Sequence, residues 1–131
     1  MTAPLLKVEH LTKHYQAPRR WFSKPRPPVQ AVSGVSFEVA KGETLSLVGE
    51  SGCGKTTTAK SVLRLIEPTS GSVQLNGEEL TSLSREQMRL RRRDLQIIFQ
   101  DPYASLNPRL AAGDIVAEPL RNFGVASGAE R

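Results

Sequence analysis

The sequence predicts an α/β fold that joins a parallel strand–loop–helix unit to an antiparallel β portion. Thr44–Val48 is a short apolar run bounded by turn residues, which is typical of a buried parallel strand. A glycine-rich loop follows it, and Lys55–Ile66 then carries apolar residues at the spacing of an amphipathic helix. Val29–Val39 alternates apolar and polar residues, as strands with one buried face do.

Further strands are predicted by alternation and by turn residues. Leu5–Leu11 alternates in the same way as Val29–Val39, in which Gly34 predicts a bulge or a bend. Ser72–Leu75 and Glu78–Leu80 flank Asn76-Gly77, a pair that favours a type I′ hairpin. These segments predict the antiparallel portion of the fold.

The second half of the chain predicts helices around one more strand. Ser84, with Gln87 three residues later, predicts a capping box that opens a basic helix reaching about Arg93. The remaining segments are predicted as a buried strand over Leu95–Phe99, a loop over Asp101–Arg109 and a helix over Gly113–Asn122.

The composition indicates a cytoplasmic globular protein. The 131 residues are 38% hydrophobic and 24% charged, which is typical of a soluble domain. No apolar run approaches the roughly 18 residues of a membrane-spanning helix, and the N-terminus lacks the pattern of a secretory signal. A single cysteine, Cys53, excludes an internal disulfide framework and fits a reducing compartment.

The net charge of +5 is local rather than global. Half of the 18 basic residues fall in the proline-rich loop Ala17–Pro28 and in the run Arg85–Arg93. We interpret the run as a solvated helix face, because no RNA-binding aromatic pattern or finger-type metal pattern accompanies it. The loop is interpreted as an exposed segment, with contact to lipid headgroups or to a membrane subunit as the alternative.

The segment Gly49–Thr56, GESGCGKT, satisfies the phosphate-binding pattern G-x-x-x-x-G-K-[ST]. Its glycines let successive N–H groups point at phosphate oxygens, and the following helix adds the positive end of its dipole. The Lys55 ammonium is predicted to neutralise the β- and γ-phosphates, and the Thr56 hydroxyl to coordinate Mg²⁺. The predicted nucleotide-binding residues of the loop are Gly49, Glu50, Ser51, Gly52, Cys53, Gly54, Lys55, Thr56 and Thr57.

The alternative to a nucleotide-binding loop is a structural glycine-rich turn that a lysine follows by coincidence. At average composition, four specified positions coincide only about once in 30,000 windows, and the flanking strand and helix patterns reduce that frequency further. Cys53 is predicted to contribute its backbone N–H rather than its thiol, although a helix N-terminus makes a thiolate more accessible. Alkylation of this thiol is therefore expected to block nucleotide binding.

The chain resembles the ATP-binding cassette (ABC) superfamily over about Leu5–Leu120, and three segments carry the resemblance. The segments are LTKHYQ, the long stretch LSLVGESGCGKTTTAKSVLRLIEPTSGSVQLNGEEL, and LQIIFQDPYASLNPRL. The resemblance implies the fold of a P-loop NTPase core. The resemblance implies that Tyr15 stacks on adenine, that Lys55 and Gln100 act in catalysis, and that Gln100 joins Thr56 at Mg²⁺. It also implies a Q-loop region over 100–109 and the start of a helical subdomain over 110–131.

Three elements of that family are missing from this sequence. No Gly-Gly pair occurs, so there is no LSGGQ-type signature, and no further apolar strand ends in Asp-Glu. Both histidines, His10 and His14, precede the P-loop, where the family's switch histidine would follow it. Residues 1–131 are therefore expected to be the N-terminal part of a single nucleotide-binding domain, truncated before the signature and Walker B elements, with unpaired strand edges. Such a chain is expected to bind nucleotide without hydrolysing it alone.

The segment FQDPYASLNPR and the proline-rich insertion resemble those of the dipeptide and oligopeptide importer subgroup. Nickel and glutathione importers share these features. This resemblance implies a subunit that couples ATP binding and hydrolysis to solute uptake, with ATP and Mg²⁺ as cofactors. It also implies a peripheral location on the cytoplasmic face of the inner membrane. The implied partners are transmembrane permease subunits and a second ABC ATPase subunit, identical or different, without contact to nucleic acid or to the transported solute. The alternatives are a non-transport ABC ATPase of DNA repair or translation, and a non-catalytic nucleotide-binding fragment.

Overall fold

The computed structural model describes residues 3–16 and 27–125, and the chain divides into two compact units. The first unit is Met1–Leu83 and the second is Ser84–Arg131. The proline-rich loop predicted over 17–28 lies outside the described residues except for its last two prolines, and so does the end of the predicted 110–131 segment.

The first unit contains a four-stranded antiparallel sheet in the order β2-β1-β3-β4. Its strands are β1 (Leu6–Tyr15), β2 (Val29–Val39), β3 (Ser70–Leu75) and β4 (Glu78–Glu79). Alternation predicts β1 and β2 and the Asn76-Gly77 turn predicts β3 and β4, although β1 runs four residues further than expected. The antiparallel portion of the predicted fold is thus confirmed.

Gly34 marks an irregularity in the pairing of β1 with β2, as predicted. The register shifts between the pairs Leu11↔Val35 and Lys13↔Val32, and Gly34 has a φ of 65°. Its N–H donates a hydrogen bond of 3.1 Å to the Thr12 hydroxyl, which replaces a regular ladder bond. Such a bulge increases the local twist of the two strands.

The β3–β4 hairpin turns at Asn76-Gly77, where both residues have positive φ, 51° and 79°. These left-handed conformations are those of a type I′ turn, so the hairpin prediction is confirmed. The Asn76 N–H also donates to the Leu5 carbonyl oxygen at 2.8 Å, which fastens the turn to the start of the sheet.

One helix, α1 (Lys55–Val62), packs against β1 and β2. The apolar core of this unit consists of Val8, Leu11, Val32, Val62, Val73 and Leu80. The helix ends four residues earlier than the predicted Ile66, because Arg64 adopts a left-handed φ of 47°. The Leu65 and Ile66 N–H groups then both donate to the Lys60 carbonyl oxygen, at 2.9 and 3.2 Å, and close the helix end.

The two predicted buried parallel strands do not form. Thr44–Val48 and Leu95–Phe99 have no strand assignment, and no described strand pairs with either segment. Val48 is 92% exposed and Ile98 is 89% exposed. A strand requires a hydrogen-bonded neighbour, so apolar character alone does not produce one. The prediction that these segments would form buried strands is therefore wrong for this chain, and most of their apolar residues are exposed, with Leu95 and Ile97 half-buried.

The part of the second unit that the structure describes contains three helices, α2 (Arg85–Arg91), α3 (Pro102–Ser105) and α4 (Ala112–Asn122). The capping box at the start of α2 is confirmed. The Ser84 N–H donates to Gln87 Oε1 at 2.8 Å, and the Gln87 N–H donates to Ser84 Oγ at 3.2 Å. The predicted loop Asp101–Arg109 instead contains the single turn of α3. Within the described ranges, no helix combines the length and hydropathy needed to cross a bilayer.

Candidate nucleotide-binding site

The glycine-rich loop before α1 is shaped by two left-handed glycines, Gly52 and Gly54, with φ of 83° and 98°. Gly54 is also the N-cap of α1. A β-carbon at Gly54 would lie 2.3 Å from the carbonyl oxygen of Ala31 in β2. The loop therefore closes directly onto the backbone of the sheet, and only glycine fits at this point.

The Lys55 side chain folds back into the loop. Its Nζ donates hydrogen bonds to the carbonyl oxygens of Gly49 at 2.7 Å and Glu50 at 2.6 Å, and it lies 3.4 Å from Cys53 Sγ. The ammonium thus sits inside the curve of the loop, next to the start of α1. A phosphate entering this curve would meet a fixed positive charge.

The N-terminus of α1 is open to an anion. Gly54 supplies no side-chain cap, and the first turn of the helix carries no acidic residue. The first N–H groups of a helix lack intrahelical acceptors, and the helix dipole places partial positive charge there. The donors of this turn and the Lys55 ammonium therefore point to a site for phosphate oxygens.

The threonines that follow Lys55 have different environments. Thr56 is exposed and Thr57 is half-buried, whereas Thr58 is buried and its hydroxyl donates to the Gly54 carbonyl oxygen at 3.0 Å. Thr58 thus stabilises the cap of the helix, and the Thr56 hydroxyl remains accessible at its start. An accessible hydroxyl beside bound phosphates is the donor that Mg²⁺ uses in P-loop sites.

Tyr15 lies at the end of β1, where it pairs with Val29, and its side chain is 40% exposed. The Lys13 ammonium lies 5.1 Å from the centroid of the Tyr15 ring. The same Nζ donates a hydrogen bond of 2.7 Å to the Glu67 carbonyl oxygen. Tyr15 therefore presents an aromatic surface that a cation contacts from within the same unit.

Gln100 belongs to the second unit, at an exposed bend that precedes α3. The structure thus places the loop and Tyr15 in one compact unit and Gln100 in the other. The roles of Gln100 in catalysis and at Mg²⁺ stay predictions.

An arginine that no sequence pattern indicates supports the C-terminal end of α1. The Arg64 side chain is only 9% exposed, and its Nη1 donates to the carbonyl oxygens of Leu80 at 2.7 Å and Leu83 at 2.8 Å. Its Nε and Nη2 donate to the two carboxylate oxygens of Glu67, at 3.2 and 2.8 Å. These contacts fasten the segment after α1 to the chain that leaves the hairpin. The partners are 16 and 19 residues away, so no local pattern predicts them.

Glu79 is a second residue that the sequence does not single out. Its carboxylate accepts hydrogen bonds from the hydroxyls of Ser72 and Thr81, and from the N–H groups of Val73 at 3.1 Å and Thr81 at 3.0 Å. Partial burial raises the pKa of this carboxyl, but the four donors together outweigh that effect and hold the pKa below its usual value. The Glu79 carboxylate thus links β3 to the residues that follow the hairpin through these hydrogen bonds.

Comparison with known proteins identifies the family to which the chain belongs. The family model described as ABC transporter matches residues 32–128. A probable peptide ABC transporter ATP-binding protein of Sinorhizobium fredii is 53% identical over the whole chain, which covers 37% of that protein. The oligopeptide transport ATP-binding protein OppF of Bacillus subtilis is 51% identical over 92% of the chain and 37% of its own length.

Solved ATP-binding cassettes share the fold. The dimeric structure of the cassette MJ0796 in a post-hydrolysis state bound to ADP and Pi superposes with a TM-score of 0.76 at 29% identity. The match covers 95% of this chain and 51% of that one. The chain thus spans little more than a third of the curated relatives named above and about half of the solved cassette. With a family model that matches most of its length and with relatives above 50% identity, the chain belongs to the ABC transporter family.

Proposed function

We propose that this chain is the nucleotide-binding, N-terminal part of the ATP-binding subunit of a peptide-type importer. The observation that carries the proposal is the Lys55 ammonium, held inside a glycine loop that opens onto an uncapped helix N-terminus. The relatives named as peptide and oligopeptide transport ATP-binding proteins support the transport role over DNA repair or translation.

The phosphates of ATP would bind in the curve of the loop Gly49–Thr56. There the backbone N–H groups of the loop and of the first turn of α1 would donate to phosphate oxygens. The Lys55 ammonium donates to the Gly49 and Glu50 carbonyl oxygens. With ATP bound, it would also donate hydrogen bonds to the β- and γ-phosphates. No acidic side chain lies in the first turn to oppose the negative charge.

Mg²⁺ would be held mainly by phosphate oxygens and water, with the Thr56 hydroxyl as the protein ligand from this unit. When bound, the ion neutralises charge on the β- and γ-phosphates. Thr56 suits this role because it is exposed at the start of α1, whereas the Thr58 hydroxyl is already committed to Gly54. Gln100, in the Q-loop region 100–109, would complete the γ-phosphate side in the assembled protein.

Tyr15 would bind the base. Its ring is accessible at the end of β1, and stacking between an aromatic side chain and a nucleobase is worth about 1–3 kcal/mol. The triphosphate and the base would thus be held by different elements of the first unit, α1 with its loop and β1.

Hydrolysis would require residues beyond those of this chain. The sequence has no Gly-Gly pair, no second strand ending in Asp-Glu and no histidine after the P-loop. We therefore infer that residues 1–131 bind nucleotide and do not turn it over alone. The partners of the whole subunit would be transmembrane permeases and a second ATPase subunit. The dimeric cassettes among the structural neighbours support the second ATPase subunit. The subunit would lie peripherally on the cytoplasmic face of the membrane.

Equilibrium binding of a fluorescent ATP analogue to the 131-residue chain tests the nucleotide-binding part of this proposal. Lys55→Ala is expected to abolish saturable binding, because it removes the charge at the centre of the loop. Lys60→Ala is the matched control, since it removes a lysine from the same helix outside the loop. Equal affinity of the Lys55→Ala variant and the unchanged chain would contradict the proposal.

Co-purification tests the transport part. The complete subunit is expected to sediment with membranes when its permeases are expressed with it and to remain in the supernatant without them. Association with nucleic acid instead of membranes would favour a non-transport member of the family.

A further inference from the structure

We propose that Lys13 is a positioning residue for the base-binding surface. Its ammonium holds the Tyr15 ring in a fixed orientation relative to the phosphate-binding helix. The inference rests on the proposed function, in which Tyr15 stacks on the base and the Gly49–Thr56 loop binds the phosphates. It adds a residue whose effect should appear only when the ligand carries a base.

The Lys13 ammonium is fixed between two groups. Its Nζ donates to the Glu67 carbonyl oxygen at 2.7 Å and lies 5.1 Å from the Tyr15 ring centroid. A cation within about 6 Å of the centroid is attracted by the negative face of an aromatic ring. Lys13 therefore contacts one side of the ring, and a planar base can stack only on the side that this cation leaves accessible.

The carboxylate of Glu67 does not neutralise this arrangement. Its two oxygens accept hydrogen bonds from the Arg64 guanidinium at 2.8 and 3.2 Å, whereas Lys13 contacts the main-chain oxygen of the same residue. Because the Glu67 carboxylate is paired with the Arg64 guanidinium, it does not form an ion pair with Lys13, and the Lys13 ammonium can lie over the Tyr15 ring. Arg64, Glu67 and Lys13 thus form one connected series that ends at the Tyr15 ring, and Glu67 takes part in it through both its carboxylate and its main-chain oxygen.

This series connects the ring to α1. Glu67 follows the end of the helix, and Arg64 fastens that end to the carbonyl oxygens of Leu80 and Leu83. Lys55 lies at the other end of the same helix. The sheet sets the position of the Tyr15 backbone, and Lys13 links the ring to the segment that follows α1. The orientation of the ring relative to the phosphate-binding ammonium therefore depends on Lys13 keeping its contacts.

The size of the effect follows from the contact. An exposed cation–π contact changes an equilibrium by about 2- to 5-fold. Lys13→Met removes the cation and keeps a flexible chain of similar length, so we expect ATP to bind about 2- to 5-fold more weakly. Inorganic tripolyphosphate, which has no base, should bind to the variant and to the unchanged chain equally well.

The test is a calorimetric titration of the 131-residue chain with ATP and, separately, with tripolyphosphate. Lys13→Arg should retain most of the ATP affinity, because a guanidinium also interacts with an aromatic face. Lys7→Met is the matched control on the same strand, since the Lys7 ammonium pairs with the Glu9 carboxylate at 3.1 Å rather than with an aromatic ring. A thermal melt of each variant separates loss of fold from loss of affinity.

A double-mutant cycle with Tyr15→Ala identifies the origin of the effect. If Lys13 acts through the ring, Lys13→Met should have no further effect on ATP affinity in the Tyr15→Ala background. Equal weakening of ATP and tripolyphosphate by Lys13→Met, or unchanged ATP affinity of both Lys13→Met and Lys13→Arg, would overturn the proposal. Failure of the proposed function gives a different pattern, in which Tyr15→Ala leaves ATP affinity unchanged or Lys55→Ala leaves tripolyphosphate binding intact.

Discussion

Gly54 and Ala31 approach so closely that a β-carbon on the glycine would stand 2.3 Å from the alanine carbonyl oxygen. This contact joins the end of the glycine-rich loop before α1 to β2, and the glycine also has a φ of 98°. The position and the hand of the loop are thus both set by one residue without a side chain.

Gly54→Ala is therefore expected to destabilise the fold strongly. Left-handed strain at a non-glycine residue costs about 1–3 kcal/mol, and the clash with a main-chain atom adds to it. Gly52→Ala is the matched control, because its φ is also positive at 83° but its β-carbon would meet nothing within 4 Å. Urea denaturation of both variants checks this expectation, and equal midpoints would show that the contact with Ala31 has no energetic effect.

Alkylation of Cys53 is expected to prevent nucleotide binding. The thiol is exposed, and its sulfur lies 3.4 Å from Lys55 Nζ and 2.6 Å from where a β-carbon of Gly49 would be. An added group would fill the curve of the loop and displace the ammonium. Binding of the ATP analogue after treatment with a maleimide measures the effect, and ATP present during treatment should protect. Inhibition that persists in Cys53→Ser would refute this explanation.

Arg64→Ala is expected to lower the free energy of unfolding by about 2–4 kcal/mol. It leaves the Leu80 and Leu83 carbonyl oxygens without this donor and removes the bidentate partner of Glu67. The exposed Arg89 supplies the control, and Arg89→Ala should change stability by no more than about 0.5 kcal/mol. Guanidinium unfolding curves decide between the two, and similar losses would mean that the Arg64 contacts are not structural.

Stability should fall in acid partly because of Glu79. Its folded-state pKa is lowered, so its contribution is present above the unfolded value, about 4.3, and is lost as the pH falls through the folded pKa. Glu79→Gln should destabilise the chain at pH 7 and should weaken the dependence of unfolding free energy on pH below about 5. Urea titrations between pH 7 and pH 3 measure both quantities. An unchanged acid dependence in the variant would contradict this role.

The features that the sequence predicts well are local. The Asn76-Gly77 turn and the Ser84–Gln87 capping box depend on residues within four positions of one another, and both form as expected. The glycine loop is also a local pattern, and it appears where the motif places it.

Features that depend on distant partners are predicted poorly. The apolar pattern of Thr44–Val48 predicts a strand. A strand forms only when a neighbouring strand hydrogen-bonds to it, and no described strand pairs with this segment. The left-handed Arg64 and its bonds to Leu80 and Leu83 end α1 early, although the apolar spacing continues to Ile66. Neither outcome can be derived from periodicity, which reports only which side of an element is apolar.

The most direct test of nucleotide binding at the loop is an amide chemical-shift titration of the isotope-labelled chain with Mg²⁺ and ATP. The N–H resonances of Gly52, Gly54 and Lys55 are predicted to shift in a saturable manner, because in the proposed site these groups would lie next to the bound phosphates. The turn at Asn76-Gly77 is an internal reference and should remain unchanged. Saturable shifts confined to residues outside Gly49–Thr56, or no shifts at all, would contradict a phosphate site at this loop.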